Sequence, residues 1–137
     1  MIRSKKTITK MIFVFIILVG MVMTVNAYNT KFSFDLTSGM MSPWAYSSFA
    51  YKYTDDESPV VECTYTDGCT NKFKYSVFNS NNEHRVTPLT KTGTFGITQF
   101  QRDITQKNYS YKLGATREAG SWYESANTQG QWNIDSY

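Results

Sequence analysis

The sequence has little of the chemistry that most enzymes need, with one histidine and two cysteines in 137 residues. The histidine, His84, stands in the turn-like segment NNEHRV, where we expect a solvated turn residue. A catalytic nucleophile needs an oriented base beside it, and the two cysteines with His84 match no standard zinc spacing. We therefore predict a non-enzymatic protein without a cofactor or a metal ion. A hydrolase that uses a pair of its eleven acidic residues is the open alternative.

The N-terminal segment, residues 1–27, has the three parts of a secretory signal peptide. Four basic residues precede an apolar run at 11–23, and Val25-Asn26-Ala27 follows with small or β-branched residues at the positions that a signal peptidase reads. The run is shorter than the roughly 20 residues that span a membrane. We predict a signal helix that is cleaved between Ala27 and Tyr28, although an uncleaved anchor is the alternative. The expected product is a secreted domain of residues 28–137, which can remain loosely associated with the cell surface.

Little net charge remains without that segment. Four of the fourteen basic residues lie in residues 1–27 and none of the eleven acidic residues does, which leaves ten against eleven, or −1. Without a basic stripe we predict no nucleic-acid partner. The expected partners are the Sec translocon and signal peptidase during export, and afterwards a cell-envelope component or another protein.

Apolar and polar residues alternate along the rest of the chain, and no helical period persists for a useful length. Period two with aromatic residues indicates half-buried strands. The alternating segments are KFSFDLT (31–37), FAYKYT (49–54), KFKYSVF (72–78), YSYKLGA (109–115) and GQWNIDSY (130–137). Weaker strands are expected at 60–63, at 94–100 and around Trp122. About seven short strands predict a single all-β domain, an antiparallel β-sandwich or a barrel-like fold.

Aromatic residues make up 16% of the chain. Packing in the core and across strands accounts for most of them, and an exposed patch that binds sugars or peptides is the alternative. In FAYKYT the aromatic residues are expected to face the core. The candidate binding aromatics lie beside turns, near strand ends or at a loop tip, and they are Trp44, Tyr65, Trp122 and Trp132.

Both cysteines stand in VECTYTDGCT, residues 61–70. Export favours an oxidised pair over a redox or metal site, so we predict a Cys63–Cys69 disulfide that staples a hairpin tip. As a bulge residue with a positive φ, Gly68 would relieve the strain of this tip. A two-residue turn at Asp67-Gly68 is a competing signal, and under its register the two sulfur atoms would not face each other.

Three short motifs carry a family resemblance: Asn29-x-x-Phe32-Ser33-Phe34, Leu113-Gly114-Ala115 and Gly130-Gln131-Trp132. They resemble a family of small secreted proteins of Gram-positive bacteria, domain of unknown function 2712. The resemblance covers most of the chain after residue 27 and implies an exported domain of this size. It implies no activity and no binding residues, and the cysteine segment departs from the family pattern.

A weaker similarity, in composition and in the C-terminal aromatic strand, is to the secreted β-sandwich bacteriocins of the lactococcin type. It implies a bacteriocin-like antagonistic protein. Our main hypothesis is a non-enzymatic secreted domain that acts by binding at or outside the cell envelope, and the antagonistic protein is the alternative.

Overall fold

A computed structural model of the chain describes residues 29–36 and 44–136. The predicted signal peptide and its cleavage site at Ala27 and Tyr28 lie outside these residues. No helix among the described residues is long and apolar enough to cross a membrane. The strands are β1 (Thr30–Leu36), β2 (Ala45–Tyr46), β3 (Ala50–Tyr51), β4 (Val60–Gly68), β5 (Lys72–Phe78), β6 (Leu89–Thr92), β7 (Phe95–Gln99), β8 (Ser110–Arg117) and β9 (Ala126–Asn133).

The strands form two antiparallel sheets. The first has the order β1-β9-β4-β7, and in the second β2 and β3 both pair with β8, which is followed by β5 and β6. The predicted all-β fold is confirmed as a β-sandwich. The described residues hold nine strands rather than about seven, because β2 and β3 are pieces of only two residues each.

The core lies between the sheets and follows the predicted alternation. The first sheet contributes Phe32, Phe34, Leu36, Val61 and Trp132, and the second contributes Phe73, Tyr75, Val77, Tyr111 and Leu113. The buried Tyr75 hydroxyl shares a hydrogen bond of 2.6 Å with the Thr128 hydroxyl across the sheets. Its burial raises the pKa of Tyr75 above the usual range. The prediction of Trp132 as a binding aromatic is wrong, because its side chain is 0% exposed.

The segment 49–54 alternates as predicted, but the opposite side of it is buried. Lys52 is 0% exposed, whereas Phe49, Tyr51 and Tyr53 are 52%, 43% and 51% exposed. The expectation that these aromatic residues face the core is therefore wrong. Alternation shows only that the two sides of a strand differ. In this segment the side that carries the aromatic residues faces outward.

Buried polar partners hold the lysine inside. The Lys52 ammonium donates to the backbone carbonyls of Glu57 at 2.6 Å and Ile134 at 2.9 Å, and it lies 3.3 Å from an Asp135 carboxylate oxygen. Asp135 also accepts from the backbone N–H groups of Tyr53 and Thr54, at 2.9 and 3.1 Å. A buried charge is tolerated when it is paired and hydrogen-bonded, so this network turns the neighbouring aromatic rings outward.

The predicted disulfide does not form. Cys63 lies within the continuous strand Val60–Gly68 and Cys69 follows its end, and both thiols are free. Six residues of extended chain span about 20 Å, far more than the roughly 4.4–6.8 Å between the Cα atoms of a disulfide. The Cys63 sulfur lies 3.4 Å from the Thr128 hydroxyl in the core, and the Cys69 sulfur lies 3.1 Å from the Arg117 guanidinium.

The hairpin expected between Cys63 and Cys69 is also wrong, and so is the competing two-residue turn at Asp67-Gly68, since both of these residues lie within β4. β4 belongs to the first sheet and β5 to the second, so the chain crosses between sheets after Gly68 instead of folding back on itself. The positive φ predicted for Gly68 is confirmed at 100°, and this residue ends β4 opposite Ala126. The bulge predicted at Gly68 is wrong, because the register shifts of β4 lie earlier, between Cys63 and Tyr65 against β9 and between Val61 and Cys63 against β7.

Candidate functional site

The outer side of the second sheet carries a group of neighbouring aromatic side chains, which we call the aromatic face. Its members are Trp44, Tyr46, Phe49, Tyr51, Tyr53 and Phe78. The alternation of β5 and β8 creates this face. Because Tyr75 and Leu113 point into the core, their neighbours Ser76 and Gly114, which pair with each other, belong to the outer side.

The centre of the aromatic face is the ring of Phe78, which is buried although it lies on the outer side of its sheet. Trp44 and Tyr46 pack against it edge-on, at centroid distances of 4.9 and 5.1 Å. The ring lies directly over Gly114, and a Cβ atom at that position would overlap it. The glycine therefore allows a layer of rings to pack against the strand.

His84 completes this layer. Its imidazole lies 4.4 Å from the Phe78 ring and 5.3 Å from the Trp44 ring, and its Nδ1 shares a hydrogen bond of 2.8 Å with the Ser76 hydroxyl. Partial burial, and then the charge of Lys74, lowers the pKa of His84. Ser76 is fully buried, so this pair orients the imidazole and offers no accessible nucleophile. The predicted exposure of His84 is confirmed, but the predicted turn is wrong, because His84 forms an isolated antiparallel bridge with Phe78. Its packing role was missed.

Lys112 supplies positive charge to the aromatic face. Its ammonium lies 3.9 Å from the centroid of the Tyr46 ring and 5.4 Å from that of Phe49, and it donates to the Asn82 side-chain oxygen at 2.5 Å. Cation–π contacts of this kind contribute about 0.5–1 kcal/mol at exposed sites. They fix the rings of Tyr46 and Phe49 relative to the sheet.

Tyr51 and Tyr53 form the outer end of the aromatic face. Their rings meet at 4.8 Å, and the Tyr51 hydroxyl donates to the Asn108 side-chain oxygen at 3.1 Å. With Phe49 and Ile134 they line a cleft of about 200 Å³ beside the C-terminal segment. The cleft borders the Lys52–Asp135 network that turns these rings outward.

The structure separates the four predicted binding aromatics. Trp44 belongs to the aromatic face, where it is half-buried, and Trp132 lies in the core. Tyr65 is exposed on β4 in the other sheet, and its hydroxyl donates to Asp67 at 3.2 Å. This hydrogen bond raises the pKa of Tyr65. Trp122 lies in the β8–β9 loop, where a strand was expected.

The β8–β9 loop presents a second, smaller aromatic pair. Trp122 and Tyr123 are both strongly exposed, and their rings meet perpendicularly at 5.7 Å. Arg117 anchors the loop, because its guanidinium donates to the backbone carbonyls of Glu124 at 2.5 Å and Ser121 at 2.7 Å. This pair remains separate from the aromatic face, since no ring contact joins them among the described residues.

Sequence analysis missed Phe49, Tyr51 and Tyr53 as members of the aromatic face, because FAYKYT was interpreted as core, and it did not single out Tyr46 and Phe78. Among the residues that the structure describes, no group of three or more His, Cys, Asp or Glu side chains could hold a metal ion.

No family model, no curated protein and no solved structure matches the chain. The resemblance to domain of unknown function 2712 and to the lactococcin-type bacteriocins therefore stays a prediction.

Proposed function

We propose that this protein is a non-enzymatic, secreted β-sandwich domain that acts by binding, through its aromatic face, at or outside the cell envelope. The observation that carries the proposal is the exposure of neighbouring aromatic side chains on one side of one sheet. Export is supported by the signal-like sequence of residues 1–27. The bacteriocin-like function finds no specific support in the described geometry.

The size of the exposed aromatic surface supports a binding role. Tyr46, Phe49, Tyr51 and Tyr53 are each about 37–52% exposed. At about 150–250 Å² for each side chain, they leave on the order of 400 Å² of aromatic surface in contact with water. Contiguous patches of about this size on a single chain are often functional.

The rings are also held in place before any partner arrives. Lys112 fixes Tyr46 and Phe49, and the hydrogen bond to Asn108 fixes Tyr51. Ordering a mobile side chain on binding costs about 0.5–1.5 kcal/mol, and this cost is smaller for rings that already have neighbours. Tyrosine also combines a large contact area with a hydroxyl for hydrogen bonding, which is why it is common at binding surfaces.

The test is co-sedimentation of the purified protein with cell envelopes from Gram-positive bacteria. The variant Tyr51→Ala with Tyr53→Ala is expected to bind at least tenfold more weakly, because loss of a central aromatic side chain typically costs more than 1 kcal/mol. The matched control, Tyr65→Ala with Tyr123→Ala, also removes two exposed tyrosines and should bind as the parent protein does.

Equal binding by the face variant and the control would contradict the proposal, as would no binding by the parent protein. Thermal unfolding of both variants checks that the fold is retained. Spotting the protein on lawns of related bacteria distinguishes the rival function, since growth inhibition at micromolar dose would favour an antagonistic protein.

A further inference from the structure

A polar groove opens at the end of the second sheet, next to the aromatic face, and we call it the end groove. It has a volume of about 470 Å³ and lies between the turn after β5 and the segment before β8. Its principal lining residues are Asn79, Asn81, Arg85, Ile104, Gln106 and Tyr109. Small-molecule sites in proteins commonly have volumes of about 300–1,000 Å³.

One wall of the end groove is a turn that is fixed by its own hydrogen bonds. The Asn79 side-chain oxygen accepts from the backbone N–H groups of Asn81 at 3.1 Å and Glu83 at 2.9 Å. The Asn79 side-chain nitrogen donates to the Glu83 carboxylate at 2.7 Å. Because the turn is already ordered, a ligand need not pay for ordering it.

The other wall is tied to the core and to the first wall. The Tyr111 hydroxyl accepts from the Gln106 backbone N–H at 2.8 Å, and the Ile104 backbone N–H donates to the Arg85 carbonyl at 2.9 Å. Both walls are thus held at a set separation, as a preformed binding site requires.

Arg85, the charged residue that lines the end groove, is paired with the carboxylate of Glu83 outside the lining. The Arg85 guanidinium donates to the Glu83 carboxylate at 2.7 Å, so its positive charge has a partner at hydrogen-bond distance. A free anion would have to compete with that carboxylate, and a cation would have to compete with the guanidinium. The electrostatics therefore favour a neutral ligand that forms hydrogen bonds.

The uncharged polar side chains that line the end groove are suited to forming hydrogen bonds with the hydroxyl groups of a ligand. Within the described part of the chain, the side-chain amides of Asn81 and Gln106 and the Tyr109 hydroxyl have no hydrogen-bond partner. A side-chain amide offers both donors and an acceptor, and a sugar hydroxyl needs both. Ile104 and Tyr109 are 58% and 59% exposed, and they supply apolar surface for the C–H side of a sugar ring.

The end groove and the aromatic face adjoin each other through Tyr109. Its backbone carbonyl accepts from the Lys52 N–H at 2.9 Å, and the next residue, Ser110, pairs with Tyr51 of β3. The side chain of the preceding residue, Asn108, accepts from the Tyr51 hydroxyl. A ligand chain that leaves the groove past Tyr109 thus meets the tyrosine end of the aromatic face.

From this juxtaposition we infer that the end groove binds one pyranose unit of a neutral polysaccharide, and that the following units lie on Tyr51 and Tyr53. Amides of Asn81 and Gln106 exchange hydrogen bonds with the hydroxyl groups of the first unit, and Tyr109 covers its apolar side. The inference deepens the proposed binding function and rests on it for the extension of the ligand over the aromatic face.

The test uses two neutral probes, the β-1,4-linked tetramers of glucose and of N-acetylglucosamine, in an NMR titration of the purified protein. At least one tetramer is expected to give saturable shifts that concentrate at residues 79–85 and 104–111. Gln106→Ala should weaken its binding about fivefold through the loss of a neutral hydrogen bond, and Tyr109→Ala tenfold or more. The exposed control variants Gln101→Ala and Tyr65→Ala should bind as the parent protein does.

Absence of saturable shifts with both tetramers would overturn the inference, and so would groove variants that bind as tightly as the controls. Saturable binding of inorganic phosphate at Arg85 would also overturn it, since the site would then be an anion site. If envelopes are bound through Tyr51 and Tyr53 but no tetramer is, the proposed function stands without this inference. Saturable shifts at the end groove without envelope binding would support the sugar site in the groove and contradict the proposed function.

Discussion

The buried Lys52–Asp135 pair predicts a large loss of stability when only its acidic member is removed. Asp135→Ala would leave the Lys52 ammonium in the interior with two carbonyl partners and no counter-charge. It would also remove the acceptor for the backbone N–H groups of Tyr53 and Thr54. The variant tests how much this buried network contributes to the stability of the fold.

The expected magnitude follows from these contacts. Removing one partner of a buried ion pair costs about 3–5 kcal/mol, and the whole domain is stable by only about 5–15 kcal/mol. At roughly 4 °C per kcal/mol for a domain of this size, the unfolding midpoint should fall by roughly 12–20 °C. Lys52→Met should cost less, about 1–3 kcal/mol, because Asp135 keeps three donors from Tyr53 and Thr54.

Chemical unfolding of the parent, of both single variants and of the double variant measures these free energies. Because the double variant contains no unpaired ammonium, its loss should be smaller than the sum of the single losses by about 1–3 kcal/mol. A loss below 1 kcal/mol for Asp135→Ala would contradict the stabilising role of the buried pair. So would a larger loss for Lys52→Met than for Asp135→Ala, or two losses that simply add.

Three further predictions concern His84, the thiols and Gly114. The pKa of His84 measured by NMR in the folded protein should lie below 6.5. Because the unfolded chain then binds the proton more tightly than the folded chain, the unfolding free energy should fall as the pH drops from 6.5 towards the folded pKa. The variant His84→Gln should remove this part of the pH dependence. Thiol titration of the denatured, unreduced protein should count two free thiols, Cys63 and Cys69, whereas a count of none would restore the disulfide. Gly114→Val should displace the Phe78 ring and lower stability by about 1–3 kcal/mol in chemical unfolding, and an unchanged value would contradict the close packing.

The aromatic face contains both buried and exposed side chains, although all of them lie on the outer side of the second sheet. Phe78 lies on the outer side of its sheet and is nevertheless buried, because Trp44, Tyr46 and His84 cover it. The outer layer therefore has a packed base and an exposed rim. Variants of the base are expected to change stability, and variants of the rim are expected to change binding.

Part of the fold follows from the sequence because a period of two is a local property. In β1, the burial of Phe32, Phe34 and Leu36 could be predicted from alternation alone, and the same holds for the inward residues of β5 and β8. The positive φ of Gly68 could also be predicted, since glycine adopts it without steric cost. The pairing of strands and the division into two sheets were not predictable from such local signals.

The residue pattern predicts alternating strands, but it does not show which side of segment 49–54 is buried. That choice depends on Asp135, which lies 83 residues from Lys52 and meets it only in the folded chain. A contact between distant segments also keeps Cys63 apart from Cys69. The pairing of β4 with β9 holds residues 60–68 extended, so the hairpin that the local sequence predicts does not form. The aromatic face and the end groove are therefore products of the tertiary structure, because contacts between distant segments decide which side chains remain exposed.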